Sequence, residues 1–184
     1  VQDLTFLKKI ESYIKPEDDK LMQFDFDFIG LQNYTREIVK YNPLFPYMKM
    51  KASIIPAAKR QVPTTSLNWE IYPDGIYQLL QKFSSYEKVK EIIITENGAA
   101  FHDTCSMGKV NDPERQKFIV DYLKQILKAK QAGFKVNGYF IWTLLDNLEW
   151  NEGFNIRFGL VYVNHITQER IIKSSAQWYK SFLE

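Results

Sequence analysis

The strongest constraint on the fold of this chain lies between residues 90 and 143. Lys90 to Thr95 (KEIIIT) is a continuous apolar run, the mark of a strand covered on both faces. It leads directly into Glu96-Asn97-Gly98, where glycine lets the backbone turn sharply. After a loop, Asp112 reads as a helix cap with Pro113 at the first helical position, and Phe118, Ile119, Tyr122, Leu123, Ile126 and Leu127 keep helical spacing until Gly133. Val136 to Thr143 (VNGYFIWT) is a second strand. A strand, a long helix and a strand in succession demand parallel, right-handed pairing.

The flanking sequence extends the same pattern. Leu4 to Leu21 reads as two short helices, with Pro16 opening the second. Phe26 to Leu31 is a short buried strand. Residues 36 to 68 hold Pro43, Pro46, Pro56 and Pro63 and show no sustained period. They form a long loop with room for a local hairpin, and loops of that length are usually functional. Pro73-Asp74-Gly75 opens a helix to about Tyr86, with Ile76, Leu79, Leu80 and Phe83 on one stripe. Phe158 to Val163 and Gln168 to Ile172 flank Asn164-His165-Ile166-Thr167 as a hairpin, and Ser174 leads a last helix carrying Ala176, Trp178, Tyr179 and Phe182. Parallel strands separated by helices make this an α/β chain. Three such strands do not close a sheet, and no linker divides residues 1–184.

Charge and cysteine usage exclude several classes of function. With 24 Lys+Arg against 22 Asp+Glu, the net charge of +2 leaves no electrostatic footprint for nucleic acid or acidic lipid. No apolar run is long enough to span a membrane, and the first residues lack a signal-peptide core, so the expected location is cytoplasmic unless a preceding segment carries an address. Cys105 stands alone, and with only His102 and His165 no zinc-type spacing arises. No metal or other cofactor is expected. Aromatic residues make up 15% of the chain, more than a small core needs, so some should face a ligand.

Candidate chemistry gathers where the strands end. Glu96 follows an apolar strand at its carboxyl end, which is where catalytic groups sit in a parallel α/β barrel. From position alone, a carboxylate that merely caps the strand at the rim is an equal alternative. Trp142 stands at the matching end of the next strand, ahead of Glu149-Trp150. Indole faces stack on sugar C–H surfaces while carboxylates accept from sugar hydroxyls. For any single Trp taken alone, core packing is the stronger explanation.

Four segments carry a resemblance. Ile94-Thr95-Glu96-Asn97-Gly98, Trp142-Thr143-Leu144-Leu145-Asp146-Asn147-Leu148-Glu149-Trp150, Arg157-Phe158-Gly159-Leu160-Val161-Tyr162-Val163, and Asp27-Phe28-Ile29-Gly30 with Tyr34-Thr35 are similar, in order and spacing, to the signatures of family 1 glycoside hydrolases, the β-glucosidase family. The resemblance implies a (β/α)8 TIM-barrel type fold, of which this chain would supply the C-terminal part, about strands six to eight with their helices. It also implies retaining hydrolysis of a β-glycoside through a covalent glycosyl-enzyme intermediate. On that basis Glu96 is the expected nucleophile and Tyr34 the hydroxyl that orients it. Glu149 would accept from the outer sugar hydroxyls, with the Trp150 indole N–H nearby. Trp142 would form a stacking floor, Phe158 an apolar wall, Trp69 the leaving-group border, and Gln32 an amide contact.

Departures from the family pattern bear on these expectations. Gln32 stands where an asparagine is common, Asn33 replaces a tyrosine, and Asn68 replaces a glycine before Trp69. Members that cleave 6-phosphorylated sugars change the region of Glu149 to serine and the residue before the R-F-G arginine to lysine. Glu149 and Ile156 therefore favour an unphosphorylated sugar. A retaining glycosidase needs two carboxyl groups about 5 Å apart. The family's acid/base glutamate lies in an N-E-P motif that does not occur in these 184 residues. The chain alone is therefore expected not to turn over unactivated glycosides, and its expected partners are the missing N-terminal barrel half, or a second copy, together with the substrate. A non-catalytic sugar-binding module and a structural assembly fragment are the rival readings, and a thioglucosidase stays open.

Overall fold

A computed structural model of the chain describes residues 13–42, 50–52 and 61–184. The first expected helix lies largely outside them. Of the second, a single turn forms, α1 (Asp18–Leu21), two residues beyond Pro16. The central sheet has three strands, β1 (Ile29–Gln32), β4 (Ile92–Asn97) and β7 (Val136–Ile141), in the order β1-β4-β7. Both pairings are parallel, as the strand-helix-strand pattern requires. Within the long proline-rich segment, β2 (Val39–Tyr41) and β3 (Met50–Ala52) pair antiparallel, so the loop does hold a local hairpin.

Helices cover one face of the sheet. The helices α2 (Asp74–Ser84) and α3 (Pro113–Gln131) present Ile76 and Leu80, and Phe118, Ile119, Tyr122 and Ile126, to Ile92 and Ile94 of β4, forming the main core. Each of these side chains is nearly solvent-free, and burying one contributes about 1.5–3 kcal/mol. The rings of Phe118 and Tyr122 stack at 4.2 Å. Along β7, Tyr139 packs into that core while its neighbour Phe140, directed to the opposite face by strand alternation, is 61% exposed. Phe28, beside the core residue Ile29, is 49% exposed. The sheet therefore has one helix-covered face and one open apolar face, and among the described residues β1 and β7 are its two edge strands.

Three smaller elements complete the described fold. A short hairpin, β5 (Cys105–Ser106) with β6 (Lys109–Val110), follows β4. The hairpin β8 (Val161–Val163) with β9 (Arg170–Ile172) leads into α4 (Ser174–Leu183). None of the described helices is long and apolar enough to cross a membrane. One local expectation needs correction. Asp112 sits at the N-cap position of α3 but makes no side-chain cap. Its carboxylate is instead buried, accepting from Ser174 Oγ, Ser175 N and Oγ, and Arg115 Nη1, because these distant donors satisfy it more completely than one helix amide would.

Candidate active site

Glu96 is carried on the last turns of β4, where the strand emerges from its apolar cover. The register pairs it with Gln32 of β1 across an irregularity at which β4 carries one extra residue, Thr95, and Gln32 is exposed. Asn33 donates its backbone N–H to the Glu96 carbonyl at 3.0 Å, and its own carbonyl accepts from Asn97 Nδ2 at 2.7 Å. Tyr139 in turn donates its hydroxyl to Asn97 Oδ1 at 2.8 Å. These bonds fix the backbone that delivers Tyr34, whose hydroxyl donates to Glu96 Oε2 at 2.6 Å. A phenol on a carboxylate at that length is a strong charge-assisted hydrogen bond. Burial, the bond to Glu96 and the nearby charges of Glu96 and Glu149 together push the Tyr34 hydroxyl well above the usual tyrosine range, so it stays a donor. The same charges mean that both carboxylates act on one hydroxyl.

Aromatic rings frame this pair. Trp69 and Phe158 both meet the Tyr34 ring edge-on, with centroids 5.7 and 6.2 Å away, and lie 6.1 Å from each other. Trp69 is held by its neighbours. Thr65 Oγ1 accepts from Trp69 N at 3.3 Å, Thr35 Oγ1 donates to the Glu70 carbonyl at 3.0 Å, and Arg36 pairs with buried Glu70 at 2.6 Å. Asn68, in place of the glycine the resemblance leads one to expect, has φ = 58°. That left-handed conformation favours glycine, and asparagine is among the few other residues that adopt it readily, so the Trp69 loop survives the exchange.

Glu149 occupies the other side. It is half-buried, and its Oε1 has no hydrogen-bond partner. Burial raises its pKa above the ordinary carboxylate range, a hydrogen bond from the Trp142 side chain pulls the other way, and Asp146 adds to the rise. An unpartnered buried carboxylate oxygen is costly unless something arrives to donate to it. Trp150 is 93% exposed, on a 3-10 turn over Trp150–Glu152. The Trp142–Thr143 peptide bond is cis. Gly98 is required here for contact reasons alone, since a Cβ would fall 1.9 Å from the Trp142 carbonyl oxygen.

Sequence reasoning missed the support beneath these groups. Asp146 and Arg157 were letters in motifs, and Asp103, Arg115 and Lys173 were not singled out. In the structure they form one chain of alternating charge, Asp112–Arg115–Asp103–Lys173–Asp146–Arg157, almost entirely buried. Isolated acidic and basic residues scattered over 70 positions carry no local signal. The exception is Arg157, whose place beside Phe158-Gly159 could have prompted a search for its acid.

Parallel strands, a hydroxyl-braced carboxylate at a strand's carboxyl end, and aromatic rings around it are the arrangement of the catalytic face of a parallel α/β barrel. The family model for glycosyl hydrolase family 1 matches residues 3–184, and the chain belongs to that family. It is 42% identical over 170 residues to a 1,4-beta-D-glucan glucohydrolase of Thermotoga neapolitana, covering 91% of this chain and 37% of the relative. A 6-phospho-beta-galactosidase of Clostridium acetobutylicum is 45% identical over 121 residues, covering 65% and 26%. The solved family 1 β-glucosidase from Thermotoga maritima superposes with a TM-score of 0.85 at 39% identity, over 96% of this chain and 40% of that one. The fold is thus that of the (β/α)8 barrel, of which the chain carries a part. It spans well under half the length of these relatives.

Proposed function

We propose that this chain contributes the nucleophile and the non-reducing sugar site of a retaining β-glucosidase. The observation that carries the proposal is the 2.6 Å bond from Tyr34 Oη to Glu96 Oε2. It leaves the other carboxylate oxygen of Glu96 for the anomeric carbon. Attack forms the Glu96 Oε–C1 bond as the C1–O bond to the leaving group breaks, and the leaving oxygen takes a proton from a second carboxylic acid. Water then adds at C1, giving up a proton to that same group, and Glu96 departs as carboxylate. The acid/base group is assigned to barrel strands outside this sequence. The open apolar face with Phe28 and Phe140, and the position of β1 and β7 as edge strands among the described residues, support completion of the site by those strands.

Glu149 supports an unphosphorylated glucoside as substrate. A carboxylate facing the outer hydroxyls accepts hydrogen bonds from them and repels a phosphate dianion, and Ile156 supplies no cation to offset that charge. Some relatives carry the name 6-phospho-beta-galactosidase, so the choice needs measurement. Incubation with an activated 2-deoxy-2-fluoro β-glucoside, alone and with the complementary barrel portion added, is followed by intact mass, because such a leaving group departs without acid assistance. An adduct on Glu96, absent in Glu96→Gln, is the expected result. No adduct under either condition rejects the nucleophile, and preferential labelling by the 6-phosphorylated sugar rejects the specificity.

A further inference from the structure

Asp146 sits at the junction of the two segments that carry the sugar site. Its carboxylate is fully buried. Oδ1 accepts from Lys173 Nζ at 2.9 Å and from Gly159 N–H at 2.9 Å. Oδ2 accepts from Arg157 Nη1 at 2.6 Å and Val163 N–H at 3.3 Å. The backbone around it is laddered, with Leu160 N to Thr143 O at 2.9 Å and Asp146 N to Val161 O at 3.0 Å. Residues 142–149 hold Trp142 and Glu149, whereas residues 157–163 hold Phe158. At the crossing point the fit is tight, for a Cβ on Gly159 would meet Asp146 N at 2.3 Å.

Lys173 makes this junction answer to the last helix. It precedes α4, is fully buried, and bridges Asp146 to Asp103 at 2.5 Å. Asp103 lies seven residues beyond Glu96 in the loop leaving β4 and takes two bonds from Arg115 of α3, at 2.9 and 2.8 Å. The Arg115 guanidinium also donates to the Arg157 carbonyl at 2.8 Å, immediately before Phe158. One buried relay thus touches the loop after the nucleophile strand, the loop after β7, and the wall residue's backbone.

We propose that Asp146, held by Lys173 and Arg157, is a positioning residue that fixes Glu149 and Trp142 against the nucleophile side of the site. The inference rests on the sugar-site reading of Glu149 given above. The network does more than hold the fold: by tying residues 142–149 to residues 157–163 through the four bonds to the Asp146 carboxylate, it sets the mutual placement of the two walls that carry Trp142, Glu149 and Phe158.

The test uses the 184-residue chain and needs no sugar. The indole N–H resonance of Trp142 is followed by 15N-1H NMR in the parent, in Asp146→Asn and in Arg157→Gln, with thermal melting of each recorded alongside. Arg157→Gln acts at the end of the relay, where the side chain keeps 17% exposure, and leaves its buried middle paired, so it stays informative where Asp146→Asn fails to fold. The expected result is that in folded variants the Trp142 indole shifts and exchanges with solvent roughly tenfold faster, while amides of α2 keep parent protection. Arg157→Lys, which retains the charge, is expected to restore part of the signal. An unchanged Trp142 indole in a folded variant with a lowered melting temperature would show a purely structural network and overturn the proposal. Failure of glucoside labelling with an intact indole response would instead count against the sugar-site reading alone.

Discussion

Replacing Lys173 with methionine tests the buried relay through stability. The lysine is fully buried between Asp103 and Asp146, at 2.5 and 2.9 Å. Three acids and three bases alternate along the relay, so it is neutral as built. Burial and the neighbouring Arg115 lower the Lys173 pKa, and the two carboxylates oppose that. Methionine matches the stem in length and volume, so little packing is lost, but the relay is left with one uncompensated negative charge. Removing one partner of a buried ion network costs about 3–5 kcal/mol. With a urea slope of about 2 kcal/mol/M, the midpoint should fall by roughly 2 M at neutral pH. Adding Asp146→Asn removes the orphaned charge, so its extra cost on the Lys173→Met background should be smaller than in the parent by about 1–3 kcal/mol. Urea titration by tryptophan fluorescence measures all four corners of the cycle. A fall below about 0.5 M for Lys173→Met, or strict additivity in the cycle, would refute the claim that these charges are buried and coupled.

Other consequences are open to equally direct measurement. Tyr34→Phe deletes the donor on Glu96; a charge-assisted bond of this kind contributes about 1.5–3 kcal/mol, so labelling of Glu96 by the activated fluoro-glucoside, in the presence of the complementary barrel portion, should slow about 10- to 100-fold in a variant that still melts cooperatively. Gly98→Ala forces a methyl into the Trp142 carbonyl and should cost about 3 kcal/mol or more in urea unfolding, accompanied by loss of the Trp142 indole resonance of the parent. For Asp112, burial raises the pKa but hydrogen bonds from Ser175 and Arg115 outweigh it, leaving it below its ordinary value of 3.8. Its contribution is therefore complete above that value and lost as pH falls through the folded-state value, so the urea midpoint should drop on going from about pH 5 to about pH 3, less steeply in Asp112→Asn.

How much could be read from sequence depended on the distance over which each interaction acts. The apolar run before Glu96 and the helical spacing from Phe118 to Ile126 are written within a few residues of themselves, and both elements form within two residues of their expected places. The hairpin inside the proline-rich loop was legible only as room for one, since pairing of Val39–Tyr41 with Met50–Ala52 depends on register rather than composition. Asp112 illustrates a local rule overridden: its position next to Pro113 reads as a cap, yet donors 62 and 63 residues away claim its oxygens. Asn68 illustrates the reverse, a substitution that looked disruptive and proves tolerable once its backbone is known to be left-handed.

By itself the sequence determined the alternation of parallel strands with helices, the placement of Glu96 at the carboxyl end of a buried strand, and four motifs that name a family. Those features are properties of neighbouring residues, set by backbone propensity, periodicity and spacing. Tertiary structure alone decided that Tyr34 donates to a carboxylate 62 residues away, that Glu149 keeps one oxygen unpartnered, and that Lys173 joins acids from two different loops. Such contacts are fixed when β1, β4 and β7 align in register and the chain entering α4 brings Lys173 against Asp103 and Asp146. The identity of a charged residue's partner follows from where the folded chain brings opposite charges out of water together, and no local pattern encodes it.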